Sequence, residues 1–136
     1  MLYLGCHLSA SAGNVAMVET ARELGANTFA FFTRNPRGSK AKKEDMQDCK
    51  AAMTQMEHLG FGTLVAHGAY TMNLCTADKE ARDFAAQILG DDLRRMGNLP
   101  GNFYNFHPGC HVGQGVEMGI EQIAKTCNRR LHRSIR

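Results

Sequence analysis

Short apolar segments alternate along the chain with longer segments in which apolar residues recur every three or four positions. The apolar segments occupy residues 2–7, 27–32, 63–67 and 103–107. Apolar runs of this length are typical of buried parallel strands, and the longer period is typical of amphipathic helices that cover a sheet. Because the two kinds of segment alternate four times, the sequence predicts four βα units in one α/β domain with right-handed crossovers.

The helical pattern covers about residues 13–24, 43–59 and 77–96, and it begins again near Val116. A glycine directly follows each of the first two segments, which predicts a C-terminal cap. The second helix carries a stripe of soft apolar side chains that predicts core packing rather than contact with a cofactor: Met46, Cys49, Met53 and Met56. The apolar face of the third helix consists of Ala81, Phe84, Ala85, Ile88 and Leu89.

Length and composition describe one domain that is smaller than a complete barrel. The chain has 136 residues, whereas an eight-fold βα barrel needs roughly 200–250. No apolar stretch approaches the roughly 18 residues of a membrane span, and the first residues lack the charged and apolar regions of a secretory signal. The five cysteines are scattered, a pattern typical of reduced thiols. We therefore predict a cytoplasmic protein that makes no membrane contact.

The net charge of +3 is concentrated at one end of the chain. Four arginines lie in the last eight residues, and the 16 basic residues without these 4 leave 12 against 13 acidic ones. The rest of the chain therefore lacks the global basic charge that is typical of a DNA-binding domain. One local basic run remains, and it fits either a solvated loop or a phosphate-contacting segment. It contains Arg34, Arg37, Lys40, Lys42 and Lys43.

Three of the four apolar segments end on a histidine: His7, His67 and His107. The carboxyl ends of parallel strands are where α/β proteins place their chemistry, so these side chains are expected to converge. Imidazole is the commonest metal ligand, and zinc is the first candidate for nitrogen ligands. A hydrogen-bonded structural histidine is the alternative at each position. His111 follows a Pro-Gly loop and fits a substrate contact or a residue behind the metal ligands, whereas His58 and His132 are excluded from the site.

Four motifs carry a family resemblance: GCHLSASAG, FTRNPR, HGAYTMNL and NFHPGCH. Together they resemble the endonuclease IV family, in family order, and the resemblance covers residues 1 to about 128. It implies a TIM-barrel-type α/β fold, here about four βα units or half of a (β/α)8 barrel. It also implies a DNA-repair hydrolase that carries three zinc ions when complete. Such enzymes cut the phosphodiester bond 5′ to an apurinic/apyrimidinic site in double-stranded DNA during base-excision repair.

The resemblance also implies roles for individual residues. His67 and His107 match zinc ligands that share one metal of the cluster, while His7 matches a residue of the pocket wall. His111 remains a pocket residue or one that supports a ligand. The positions at which the family contacts DNA correspond to Arg37, Tyr70 and Asn73. The first two are expected to enter the duplex, because an aromatic ring and a guanidinium can fill the gap that a missing base leaves.

The C-terminal end departs from the family pattern. The family continues after Asn128 into a fifth strand that ends on a zinc-bridging glutamate, whereas residues 129–136 read as an off-pattern basic tail. The catalytic carboxylates are therefore unassigned, and we expect residues 1–128 to form the N-terminal half of the barrel. A truncated product of this kind is expected to be inactive alone and to self-associate through open sheet edges. Two alternatives stay open: a half-barrel without catalysis, and a metal-dependent sugar isomerase or epimerase.

Overall fold

The computed structural model describes residues 1–134, with side chains through Leu131. Strands and helices alternate from the N-terminus, and one short 3-10 helix, Ala10–Ala12, follows the first strand. The remaining elements, in chain order, are β1 (Gly5–Leu8), α1 (Asn14–Glu23), β2 (Thr28–Phe32), α2 (Met46–Leu59), β3 (Val65–His67), α3 (Lys79–Met96), β4 (Phe103–Asn105) and α4 (Val116–Ser134).

The four strands form one parallel sheet in the order β1-β2-β3-β4, so each strand lies beside its neighbour in sequence. Paired residues include Cys6 with Phe29, Phe31 with Ala66, and Ala66 with Tyr104. This repeated βα order without a reversal is that of a barrel wall rather than of a doubly wound sheet. The predicted fold of about four βα units is therefore confirmed.

The core lies between the sheet and the helices that cover it. On β2, Phe29 and Phe31 are buried toward the helices, while the alternate residues face the other side and are only partly buried. The predicted stripe on α2 is confirmed at Cys49 and Met56, which are buried, whereas Met46, the first residue of the helix, is 47% exposed. A second cluster under α3 contains Met72, Leu74, Ala85, Ile88 and Leu89.

Helix starts differ from the predicted ones because acidic residues cap them. The Asp45 carboxylate accepts hydrogen bonds from the backbone N–H groups of Gln47 and Asp48, so α2 begins three residues later than the pattern indicated. Asp78 caps α3 in the same way. An N-cap carboxylate satisfies backbone donors that have no partner inside the helix, and it fixes where the helix begins. The predicted glycine cap of α2 is confirmed, because Gly60 has a left-handed conformation with φ of 66°.

Both outer strands of the sheet expose apolar side chains. Leu4, just before β1, and Phe103, in β4, are each 67% exposed. Phe84 on α3 was expected on an apolar face and is 51% exposed.

No helix within residues 1–134 is long and apolar enough to cross a membrane. The basic tail continues α4 as far as Ser134, and its last positions, 135–136, lie outside the described residues.

A candidate metal and nucleic-acid site at the strand ends

Five aromatic rings meet at the carboxyl ends of the four strands: His7, Phe32, His67, Tyr70 and His107. The His67 ring centroid lies 5.2 Å from that of His107 and 5.6 Å from that of Tyr70. Phe32 lies between the histidines of β1 and β3, at 4.6 Å from His7 and 5.1 Å from His67. Two of the three strand-end histidines, His67 and His107, are therefore in ring contact, whereas His7 is separated from His67 by Phe32, an unpredicted member of the cluster.

The backbone fixes the orientation of the His67 ring. His67 Nδ1 lies 2.7 Å from the carbonyl oxygen of Gly68, and a carbonyl only accepts, so Nδ1 carries the hydrogen. The Gly68 N–H in turn donates to the carbonyl of Asn105 at 2.9 Å, which ties the loop after β3 to β4. A neutral His67 held in this way keeps the lone pair on Nε2 for a metal ion, the arrangement that supporting carbonyls usually impose on metal-binding histidines.

The spacing of His67 and His107 fits two ligands of one zinc ion. Zinc–nitrogen bonds of about 2.0–2.1 Å at a tetrahedral angle place two imidazole centroids roughly 5 Å apart, and the observed separation is 5.2 Å. Yet among the side chains that the structure describes, through Leu131, no group of three or more His, Cys, Asp or Glu could hold a metal ion. A catalytic zinc site has three protein ligands and a water. The His67–His107 pair therefore fits part of a zinc site rather than a complete one.

The other two predicted pocket histidines lie apart from this pair. His7 is exposed and borders a cleft of about 680 Å³ between the loops that follow β1 and β2. His111 Nδ1 accepts a hydrogen bond from the backbone N–H of Gly115 at 3.2 Å, so its lone pair is already engaged near the start of α4. Neither residue is placed beside His67 and His107 as a third ligand. The assignment of His7 to the pocket wall, and of His111 to a substrate contact or a residue behind the metal ligands, stays a prediction.

Tyr70 and Arg37 lie on adjoining loops at the rim. The Tyr70 side chain is 59% exposed, and its ring lies 5.7 Å from that of His107. Its backbone N–H donates to the carbonyl of Pro36 at 2.9 Å, so the loop that carries Arg37 is joined to the loop that carries Tyr70. Arg37 is also exposed. An exposed ring and an exposed guanidinium therefore stand on adjoining loops next to the histidine pair.

Asn73 connects the loop after β3 to the loop after β4. Its side-chain nitrogen donates to the carbonyl of Cys110 at 3.0 Å, while its side-chain oxygen accepts from the N–H groups of Cys75 at 3.0 Å and Cys110 at 3.2 Å. These three bonds to backbone groups use most of the hydrogen-bonding capacity of the Asn73 side-chain amide. A DNA contact by Asn73 stays a prediction, but the structure shows that Asn73 supports the loop that carries His107 and His111.

This loop contact predicts a severe effect of Gly109→Ala. Gly109 has φ of +113°, and a Cβ there would lie 2.0 Å from the Asn73 side-chain oxygen and 2.8 Å from its Cα. We expect destabilisation by more than the ~1–3 kcal/mol that an unfavourable backbone conformation alone costs, measured by urea unfolding. Gly101→Ala is the matched control, because φ is +79° there and nothing lies within 4 Å. Equal effects of the two substitutions would contradict the proposed overlap.

Part of the predicted basic run is buried and neutralised. Arg34 is 8% exposed, and its guanidinium donates to Asp92 Oδ1 at 2.9 and 2.6 Å and to Asp91 Oδ2 at 2.8 Å. The hydroxyl of Tyr104 donates to the other oxygen of Asp92 at 2.7 Å. Arg34 is therefore unavailable as a surface phosphate contact. The remaining cations of the run are Arg37, Lys40, Lys42 and Lys43, and each keeps at least part of its surface exposed.

The same network predicts acid sensitivity through Asp91. Burial opposes ionisation of Asp91, but hydrogen bonds from Arg95, Arg94 and Arg34 outweigh it and hold the Asp91 pKa well below its ordinary value. A carboxyl with a depressed folded-state pKa stabilises the fold above its unfolded-state pKa, and this stabilisation is lost as pH falls toward the folded-state pKa. The melting temperature should therefore decrease as the pH is lowered below about 4. The decrease should be less steep in Asp91→Asn. The exposed-residue control Glu19→Gln should melt as the wild type does, and identical profiles for all three proteins would contradict this role.

A family model described as a xylose isomerase-like TIM barrel matches residues 18–133. The chain belongs to this family. Probable endonuclease 4 of Akkermansia muciniphila is 59% identical over 128 residues, which cover 94% of this chain and 46% of the relative. Probable endonuclease 4 of Alkaliphilus oremlandii is 55% identical with the same coverage. The chain thus spans about half the length of these curated relatives, and the predicted resemblance to the N-terminal half of the endonuclease IV family is confirmed.

Solved structures give the same fold. Endonuclease IV from Thermus thermophilus superposes with a TM-score of 0.76 at 25% identity, over 96% of this chain and 46% of that protein. D-psicose 3-epimerase from Clostridium cellulolyticum superposes with a TM-score of 0.67 at 13% identity, over 98% of this chain and 48% of that protein. The likeness to the epimerase shows the barrel fold alone. The sequence relatives above are named probable endonuclease 4, so the sugar isomerase or epimerase alternative has only fold-level support.

Proposed function

We propose that this chain provides the N-terminal half of a zinc-dependent endonuclease that incises double-stranded DNA on the 5′ side of abasic sites. The observation that carries the proposal is the contact of His67, His107 and Tyr70 at the strand ends, with the Arg37 loop bonded to the backbone of Tyr70. It joins a metal-binding pair to an exposed aromatic side chain and a cation. The sequence relatives named probable endonuclease 4 support the endonuclease activity.

Zinc at this position would supply a hydroxide nucleophile and neutralise negative charge on the scissile phosphate. His67 and His107 would hold the ion through their ring nitrogens, and the Gly68 carbonyl would keep the His67 ring oriented. His7 would form the wall of the adjoining cleft. The carboxylates that complete such a centre are not among the described residues that line this site.

Recognition of the damaged site would rest on Tyr70 and Arg37. An abasic nucleotide has no base to stack, so inserting a side chain into the duplex there costs less than separating two stacked bases. Tyr70 presents a half-exposed ring that packs on His67 and Phe32, which limits the entropy lost on insertion. Lys40, Lys42 and Lys43 can contact the phosphates beside it, a salt-dependent contribution without sequence preference.

The isolated 136-residue chain is expected to be inactive, because its described residues supply two zinc ligands rather than a full set. Exposed Leu4 and Phe103 at the outer strands favour self-association. Elemental analysis should find fewer than three zinc ions per chain, and the chain should leave abasic DNA uncut. A chain that held three zinc ions and cut abasic DNA would contradict this part of the proposal. Cytoplasmic localisation also stays a prediction.

The proposal is tested most usefully in a chimaera, in which the matched segment of this chain replaces the aligned 128 residues of the A. muciniphila relative. The relative then supplies the remaining barrel strands. We expect the chimaera to incise an abasic duplex and to leave ketohexoses unchanged. Sugar turnover without DNA incision would support the epimerase alternative instead.

A further inference from the structure

The Arg34 guanidinium closes the loop from which it arises. Its Nη1 donates to the carbonyl of Ser39 at 2.7 Å, five residues further along the chain. Inside the same loop, the Asn35 N–H donates to the Lys40 carbonyl at 3.1 Å and the Gly38 N–H donates to the Asn35 carbonyl at 3.1 Å. The loop is therefore folded around one buried cation, and its exposed residue Arg37 lies at the turn.

This cation is fixed to the body of the protein through α3 and β4. Asp92 is 0% exposed and uses one carboxylate oxygen for two bonds from Arg34. Its second oxygen accepts the hydrogen bond from Tyr104, which is a residue of β4. Asp91 adds a further ion pair to Arg34 at 2.8 Å. A planar guanidinium held by this many partners has one orientation, so the loop is fixed to the sheet and to α3 together.

The loop in turn reaches the candidate site. The Pro36 carbonyl accepts the hydrogen bond from the backbone N–H of Tyr70. A continuous path of bonds therefore runs from Tyr104 through Asp92 and Arg34 to the loop, and from the loop to Tyr70. Charge counting alone would assign Arg34 to the phosphate-contacting surface, but its burial and its partners exclude that use.

We propose that Arg34 is a positioning residue whose buried bonds to Asp92, Asp91 and Ser39 hold the Arg37 loop against Tyr70. It sets the geometry of abasic-site recognition without contacting DNA. Tyr104 supports this arrangement by orienting the Asp92 carboxylate. The statement about DNA rests on the proposed function, whereas the statement about the loop does not.

Hydrogen exchange of the full 136-residue chain tests the loop. Tyr104→Phe removes only the hydroxyl that orients Asp92, and Arg34→Lys keeps the charge but loses the forked geometry. We expect the amides of Asn35, Gly38 and Tyr70 to exchange about tenfold faster in Tyr104→Phe, a change comparable to the loss of one hydrogen bond, and faster again in Arg34→Lys. Tyr3→Phe, which removes a hydroxyl from a 54% exposed side chain, should leave them unchanged. Unaltered exchange in both test variants would overturn the proposal.

DNA binding by the chimaera described above, carrying the same substitutions, separates positioning from direct contact. If Arg34 positions the loop, the preference of both variants for an abasic over an undamaged duplex should be several-fold weaker than that of the wild type. The dependence of their binding constants on salt concentration should be unchanged, because no phosphate contact is lost. If Arg34 contacted a phosphate, lysine would replace it and Tyr104→Phe would have no effect. If both variants kept the wild-type preference for the abasic duplex, the proposal would be overturned. Absence of any abasic preference in the wild type would count against the proposed function, and the exchange result would then still decide the role of Arg34.

Discussion

His67→Ala and His107→Ala should each reduce abasic-site incision by the chimaera at least about 100-fold. Each substitution removes one of the two imidazoles that lie 5.2 Å apart at the strand ends. A catalytic metal contributes several kcal/mol to transition-state stabilisation, and each ~1.36 kcal/mol corresponds to a tenfold change in rate. Initial rates on an abasic oligonucleotide duplex, measured with elemental analysis of zinc on the same preparations, would show whether rate and metal are lost together.

The matched control for this pair is His58→Ala. His58 is exposed near the end of α2, away from the strand ends. The substitution removes the same side-chain type, and it should leave both the incision rate and the zinc content unchanged. If His67→Ala and His107→Ala retained full zinc content and rate, these residues would not be ligands and the site would have to be reassigned.

Asp92→Ala should cost about 3–5 kcal/mol of unfolding free energy, the usual effect of removing one partner from a buried ion pair. The substitution leaves the Arg34 guanidinium buried with Asp91 as its remaining carboxylate partner, and it leaves the Tyr104 hydroxyl without its acceptor. Domains of this kind are stable by roughly 5–15 kcal/mol, so the loss is a large share of the total. Urea unfolding of the 136-residue chain followed by circular dichroism measures it.

The comparison for Asp92 is Asp83→Ala on the same helix. Asp83 pairs with Lys79 at the surface, one turn apart, and exposed pairs of this kind contribute little to stability. Asp83→Ala should therefore unfold close to the wild-type urea midpoint. An Asp92→Ala protein that was as stable as Asp83→Ala would show that the buried network is not a major source of stability.

The order of strands and helices could be predicted from the sequence because the apolar period changes at each boundary. The ends of the elements were harder to predict. The helix starts at Met46 and Lys79 depend on the carboxylates of Asp45 and Asp78, which the apolar pattern does not include. β4 ends at Asn105 rather than at His107, since Asn105 is the last residue paired with β3. The helix starts therefore depend on capping carboxylates, and the end of β4 depends on strand pairing, neither of which the apolar period indicates.

The contact of His67 with His107, and the position of His7 at the same edge across Phe32, could be predicted because parallel strands end at one edge of the sheet. The Arg34 network was missed because its members are far apart in the sequence, and charge counting placed Arg34 with the exposed lysines. One signal was present: Asp92 follows Ile88 and Leu89 at helical spacing, so a carboxylate stands on the buried face of α3. A buried carboxylate needs a partner, so this position predicts a buried cation beside α3.

Mapping the cut that the chimaera makes in a duplex with one abasic site tests the central claim most directly. We predict a single break on the 5′ side of the abasic nucleotide, leaving a 3′-hydroxyl, and loss of that break when a chelator removes the metal. The central claim would be contradicted by intact DNA under conditions in which the unaltered relative cuts, or by breaks at undamaged positions with equal frequency.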